Sequence, residues 1–293
     1  MKQFLYWWQY IPEHLNPIAF KIGSFQLTYY ALAYIFGFTV TYFLVLYRLK
    51  SEKWEYSKEI VQDGFLYGSL AAIIGGRLGH VVLHDFRYFM ANPLKIVCPF
   101  DFSNGFRYTG ISGMAFYGAA IGIVIASIIF CRLSKINFLH FMDLFTPAIP
   151  IGYTLGRVAN FINGEFYGRI TNLPVGMYFP SAPTHALRYP SQLYEAFFEG
   201  IVLFIILWIL RKKKYFYGFI SGLYLIGYGL FRFFIEFVRQ PDPASRPVLG
   251  IFTGGQIFCI IMVLSGAIIM LIKRSIDMGR IKKDKPILGK TTK

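Results

Sequence analysis

Apolar side chains along the chain gather into seven runs, separated by shorter stretches rich in charge, proline or both. The runs lie at about 26–47, 60–83, 113–133, 142–162, 193–210, 216–238 and 254–272. Each approaches the roughly 20 apolar residues that a helix needs to cross a bilayer, and none needs a strand to explain it. The pattern predicts an all-α integral membrane protein with about seven transmembrane helices. No repeat relates one half to the other, which weighs against transporter folds built from duplicated halves. Residues 1–293 therefore read as a single polytopic membrane domain.

Orientation follows from the basic residues, which concentrate in short cytoplasmic loops. Segments 48–58, 132–135, 211–214 and 273–293 carry four, two, four and eight Lys or Arg, against seven in the longer alternate loops. This predicts an N-terminus outside and a basic cytoplasmic tail at 273–293. Residues 1–25 read as an outer interfacial segment: Trp7, Trp8 and Tyr10 suit headgroup depth, and no small-residue cleavage site marks a removable signal peptide. The outer loops 84–112 and 163–192 are long and proline-rich, and are expected to hold small cap elements, a short helix or hairpin each.

Composition agrees: 55% hydrophobic, 15% charged and a mean hydropathy of +0.48 do not suit one soluble core. The net charge of +15 is spread over separate loops. It reads as topogenic charge and attraction to anionic lipid, not as a nucleic-acid stripe. Cys98, Cys131 and Cys259 fall at different depths and are expected to be free thiols.

Away from their cytoplasmic ends, the apolar runs are interrupted by six Asp, Glu, Lys or Arg residues: Arg77, Arg157, Glu195, Glu199, Arg232 and Glu236. A charge in hydrocarbon costs about 2.5–3.5 kcal/mol on insertion scales, so such residues usually face a protein interior and mark function. All six fall toward the predicted outer leaflet. Arg157 and Asn160 share a helix face, as do Tyr228, Arg232 and Glu236, recurring every four residues. Glu195 and Glu199 lie at the same level, to which Tyr29, Tyr30 and Tyr117 also contribute. Arg232 with Glu236, and Arg157 with Glu165, can be read as packing ion pairs, and Glu195 and Glu199 as interfacial anchors or partners of an arginine. Arg77, Arg157 and Arg232 together resemble a phosphate clamp, because guanidinium offers paired donors to phosphate oxygens.

Other chemistry lacks its signal. His80 and His84 have metal-ligand spacing but no third ligand nearby, and His14, His140 and His185 read as loop or interface residues. Nucleophile-elbow, Walker, zincin and paired-cysteine motifs are missing from the sequence. The glycines at 75–76 and 118 suit close helix packing.

The segment GRVANFINGEFYG at 156–168 resembles the signature of prolipoprotein diacylglyceryl transferases, bacterial enzymes of lipoprotein maturation. GGRLGH (75–80), YPSQLYEAFFEG (189–200), SGLYLIGYGLFRFFIEFVRQPD (221–242) and GGQI (254–257) follow in the family's order. The resemblance, covering about 16–272, implies transfer of the sn-1,2-diacylglyceryl group of phosphatidylglycerol to the lipobox cysteine of a preprolipoprotein signal peptide. It implies a bacterial inner-membrane enzyme with seven spans, no metal and no other cofactor. Arg157 and Arg232 are then catalytic, on the phosphate. Asn160 binds the headgroup or ester region, Glu165 and Glu236 orient the arginines, and Arg239 guides lipid entry or product exit. Tyr30, Arg77, Gly168 and Tyr228 complete the implied substrate site. The sequence departs from the family at three histidine positions, held here by Thr28, Tyr117 and Tyr189. That leaves the general base open, with the substrate thiol ionising beside the arginines and Tyr117 as its hydrogen-bond partner. The alternative is a non-catalytic carrier of anionic phospholipid or an inactive paralogue.

Overall fold

The computed structural model describes residues 2–22, 25–83, 86–97, 100–101, 107–108, 113–213, 215–241 and 252–283. His84, Cys98 and the end of the basic tail, 284–293, lie outside the described residues. Helix α1 (Lys2–Tyr10) leads through a 3-10 turn into an antiparallel hairpin, β1 (Ile18–Ile22) with β2 (Phe25–Thr28). Helix α2 (Tyr29–Ser51) follows directly. Next come α3 (Lys58–Leu83), the short α4 (Phe86–Ala91) and a two-residue hairpin, β3 (Phe100–Asp101) with β4 (Arg107–Tyr108). The chain continues as α5 (Phe116–Leu133), α6 (Phe138–Phe145), α7 (Ile149–Ile162), α8 (Ser191–Leu210), α9 (Phe219–Ile235) and α10 (Gly254–Lys283).

Among the described residues, five helices are long and apolar enough to cross a membrane: α2, α3, α5, α8 and the Gly254–Ile272 part of α10. Helix α9 is apolar but shorter. The fourth apolar run is not one helix. It is split into α6, a 3-10 turn at Thr146–Ala148 and α7, because Pro147 and Pro150 lack the N–H a continuous helix requires and occupy first-turn positions instead. The fold is mostly helical, with two short hairpins added. The first run starts late for the same kind of local reason: 25–28 pairs as a strand, and Thr28 Oγ1 accepts from Ala31 N at 3.2 Å to cap α2 at Tyr29.

The chain divides into two compact units, residues 1–52 with 142–293, and residues 53–141. In the second unit, α3 and α5 meet along glycines. A Cβ on Gly75 would stand 2.5 Å from the Gly118 carbonyl oxygen, and one on Gly79 would stand 2.7 Å from Gly118 Cα. Small residues let the backbones touch where apolar surroundings offer no hydrophobic drive between helices. In the first unit, α7, α8 and α9 pack together. Their shared core includes Leu203, Leu207, Ile220 and Tyr228, with Tyr153 against it.

Candidate active site

The first unit brings the intramembrane charges of α7, α8 and α9 into one cluster centred on Glu195. On α7, Tyr153, Arg157 and Asn160 share one face. Helix α8 opens from an α into a π turn over Glu195–Val202, a form that often marks functional sites, and buries both Glu195 and Glu199. Helix α9 supplies Tyr228 and Arg232, and Glu236 is the residue at its end.

Glu195 receives three guanidiniums: Arg157 Nε at 2.8 Å, Arg232 Nη1 at 3.1 Å and Arg239 Nε at 3.5 Å. Arg232 also lies 3.7 Å from Glu199 and 3.3 Å from Glu236, and Arg239 lies 3.9 Å from Glu236. Thr253 Oγ1 donates to Glu236 at 3.2 Å, and Arg157 Nη1 donates to Asn160 Oδ1 at 3.3 Å. The Tyr153 hydroxyl donates to Glu199 and lies 3.4 Å from Glu195 Oε2, while the Arg157 guanidinium sits 4.8 Å over its ring.

Exposure divides the cluster. The Glu195 side chain is fully buried, whereas the side chains of Arg157, Arg232 and Arg239 keep 14%, 11% and 17% of their surface open. Carboxylates stand behind and cations in front. Glu195 Oε1, Glu199 Oε1, Arg232 Nη1, Glu236 Oε2 and Arg239 Nε are buried and lack an aligned hydrogen bond among the described residues. Such atoms in a low-dielectric interior retain a strong demand for partners.

The 156–168 segment is the scaffold of this arrangement. After α7 the chain turns through Gly164 at φ +67° and Phe166 at φ 58°, and Ser181 Oγ donates to the Gly164 carbonyl. Ser191 Oγ and Gln192 Nε2, at the start of α8, donate to the carbonyls of Phe166 (2.9 Å) and Glu165 (2.6 Å). Gly168 forms a backbone bridge with Arg239, and Arg169 N donates to Val238 O at 2.8 Å. A Cβ on Gly168 would stand 2.6 Å from Val238 O, so only glycine lets the strand holding Arg239 approach. Gly168 thus has a positional role of its own.

Of the candidates read from the sequence, Arg77 and Tyr117 belong to the second unit and the others to the first. Arg157, Arg232, Glu236 and Arg239 join in the cluster, with Asn160 on Arg157 and the Tyr228 ring edge-on to Tyr153 at 5.7 Å. Tyr30 is bonded to the Tyr34 hydroxyl at 3.0 Å, and Tyr34 in turn faces Arg157 and Glu165. Glu165 does not pair with Arg157. Its carboxyl is exposed at the helix end beside Asn160 and Asn163, and Glu195 takes its place. The third arginine of the cluster is Arg239.

Arg77 belongs to the second unit. There it donates to the carbonyls of Lys95 (2.7 Å), Ile96 (2.8 Å) and Gly113 (3.2 Å), beneath the Phe89 ring. Tyr117 is 40% exposed in the first turn of α5. Cys131 and Cys259 are free and buried. Among the described residues, no group of three or more His, Cys, Asp or Glu is placed to hold a metal.

Two features of the cluster go beyond what spacing in the sequence shows. Glu195 and Glu199 were visible as paired carboxylates in an apolar helix, yet the hub role of Glu195 depends on three other elements converging on it. Tyr153 lies four residues before Arg157, and that spacing was the available signal.

The sequence pattern of the prolipoprotein diacylglyceryl transferase family matches residues 17–272. The chain is 48% identical over 267 residues to a protein of Chlorobaculum tepidum named phosphatidylglycerol–prolipoprotein diacylglyceryl transferase, covering 91% of this chain and 92% of that one. Proteins of the same name from Rickettsia felis and Coxiella burnetii are 42% and 41% identical, over 87% and 86% of this chain and 95% and 93% of theirs.

Proposed function

This chain belongs to the prolipoprotein diacylglyceryl transferase family, and from that premise we propose that it moves the sn-1,2-diacylglyceryl group of phosphatidylglycerol onto the lipobox cysteine thiol of a preprolipoprotein. A thioether forms and glycerol phosphate leaves. The observation that carries the reading is the cluster's polarity: three guanidiniums with open surface, held from behind by buried glutamates.

The reaction displaces phosphate from the glyceryl carbon, so negative charge collects on the departing ester oxygen. Cations fixed in advance in a dry site stabilise that charge without reorganising at the moment of reaction. Arg157, Arg232 and Arg239 serve this task, held in place by Glu195 and Glu236. Asn160 bonds the headgroup or ester region, and Tyr30 and Tyr228 line the pocket wall. The distribution of Lys and Arg supports an N-terminus outside and a cytoplasmic tail, with seven crossings. The cluster then faces the outer leaflet of the bacterial inner membrane, where its anionic lipid donor resides, and both substrates arrive laterally.

The test uses purified protein, phosphatidylglycerol and a synthetic lipobox peptide, following glycerol phosphate release and peptide mass. Wild type is expected to release glycerol phosphate in step with a diacylglyceryl mass gain, and Arg157→Ala to lose both. Lipid binding by well-folded wild type without any product would favour the phospholipid-carrier reading.

A further inference from the structure

We propose that Tyr153 and Glu199 form the proton-accepting arm of this site, Tyr153 touching the substrate thiol and Glu199 receiving the proton behind it. The inference rests on the transferase reading and supplies the base that the family-histidine positions do not.

The three buried carboxylates of the cluster are not equivalent. Glu195 has three guanidiniums within 3.5 Å. Glu236 has Arg232 at 3.3 Å, Arg239 at 3.9 Å and the Thr253 hydroxyl. Glu199 has one guanidinium, at 3.7 Å, and its Oε1 is buried without a hydrogen bond among the described residues. It is the least compensated of the three, and so the one that gains most by accepting a proton. It is also fully buried, which bars direct contact with a substrate. Tyr153 closes that gap: its hydroxyl bonds Glu199, and its side chain is only half-buried. The described histidines nearest in role are engaged elsewhere, His185 with Glu13 at 3.2 Å and His140 with Tyr56 at 2.8 Å.

The chemistry balances. As sulfur approaches the glyceryl carbon, its proton passes to Tyr153 Oη while the Tyr153 hydroxyl proton passes to the Glu199 carboxylate. The sulfur electron pair forms the S–C bond. The C–O bond to phosphate breaks with its own pair, leaving glycerol phosphate as the dianion. With Glu195, Glu199 and Glu236 ionised, three carboxylates balance Arg157, Arg232 and Arg239. Once Glu199 is protonated the clamp carries one surplus positive charge, just as the leaving group acquires its second negative one. Proton transfer thereby strengthens the clamp selectively in the transition state.

Geometry also defines the test, because a selenol is far more acidic than a thiol and needs no base. Full-length wild type, Tyr153→Phe and Glu199→Gln are compared on a cysteine lipobox peptide and on its selenocysteine counterpart, with phosphatidylglycerol binding measured for each. On cysteine, both variants are expected to lose about 10²-fold or more in kcat, while selenocysteine turnover stays within about threefold of wild type and the KM for lipid is little changed. Equal loss on both peptides, or no loss on cysteine, overturns the relay and leaves the transferase standing. Tyr153→Phe keeps the ring beneath Arg157, so it decides the matter alone if Glu199→Gln does not fold. Wild type that forms no thioether at all overturns the transferase reading, and the relay with it.

Discussion

Two clusters of buried charge sit in the first unit, and their central arginines are held differently. In one, Arg48 is fully buried and saturated: Nε and Nη2 grip the two oxygens of Glu52 at 2.9 Å, and Nη1 donates to the carbonyls of Asp143 and Leu144. Arg211 Nε lies 3.2 Å from the same Glu52. Beside them the Asp143 carboxylate accepts from Gly218 N (2.7 Å), Ser221 N (2.8 Å) and Ser221 Oγ (2.7 Å), closing the start of α9. In the Glu195 cluster the cations keep open surface, and several charged atoms have ion contacts without an aligned hydrogen bond. Buried charge therefore does not by itself identify a site. What separates Arg48 from Arg157, Arg232 and Arg239 is that its guanidinium has no open surface and ends on a carboxylate and carbonyls of the fold, although Arg211 beside it also keeps an Nε without an aligned hydrogen bond.

Each side of that contrast can be broken. Arg48→Ala has the largest expected effect on stability, because it leaves Glu52 buried with a diminished partner. A loss of about 3–5 kcal/mol, read from thermal or denaturant unfolding in detergent, fits a broken buried pair. Arg232→Lys should act on turnover instead. Exchanging a planar fork for a point charge is expected to lower kcat by about 10²-fold. Stability should change less than in Arg48→Ala, since Glu195 retains Arg157 and Arg239. Asp143→Asn should be the mildest, costing about 0.5–2 kcal/mol through the weakened cap of α9, with activity per folded molecule preserved. An Arg48→Ala enzyme with unaltered stability but no turnover would erase the distinction.

The helical pieces were legible because apolar runs report directly on burial and length. The α3–α5 contact was too, since glycines at 75 and 118 have few reasons to recur in apolar helices other than close packing. Less legible was whatever depends on a partner far along the chain. Pro147 and Pro150 break the fourth run by a local rule that a hydropathy window averages away. Arg77 and Arg239 look alike as arginines near helix ends, yet Arg77 is committed to carbonyls at 95, 96 and 113, while a backbone bridge to Gly168 delivers Arg239 to Glu195. No spacing rule anticipates that bridge. The pairing of Arg157 with Glu195 over Glu165 has the same origin: proximity in sequence favoured the wrong carboxylate.

The π turn in α8 settles a matter of phase. In an α-helix every fourth residue advances about 40° around the axis, so Glu195, Glu199, Leu203 and Leu207 would wind away from a common line. The wider i→i+5 turn needs more than four residues to come round and winds the other way, so the π stretch at Glu195–Val202 cancels the advance. All four side chains end up at 0–1% exposure, on the buried edge of the helix. Two leucines on that edge grip the apolar core while two carboxylates meet the arginines, and a change in helical pitch lets one rod do both.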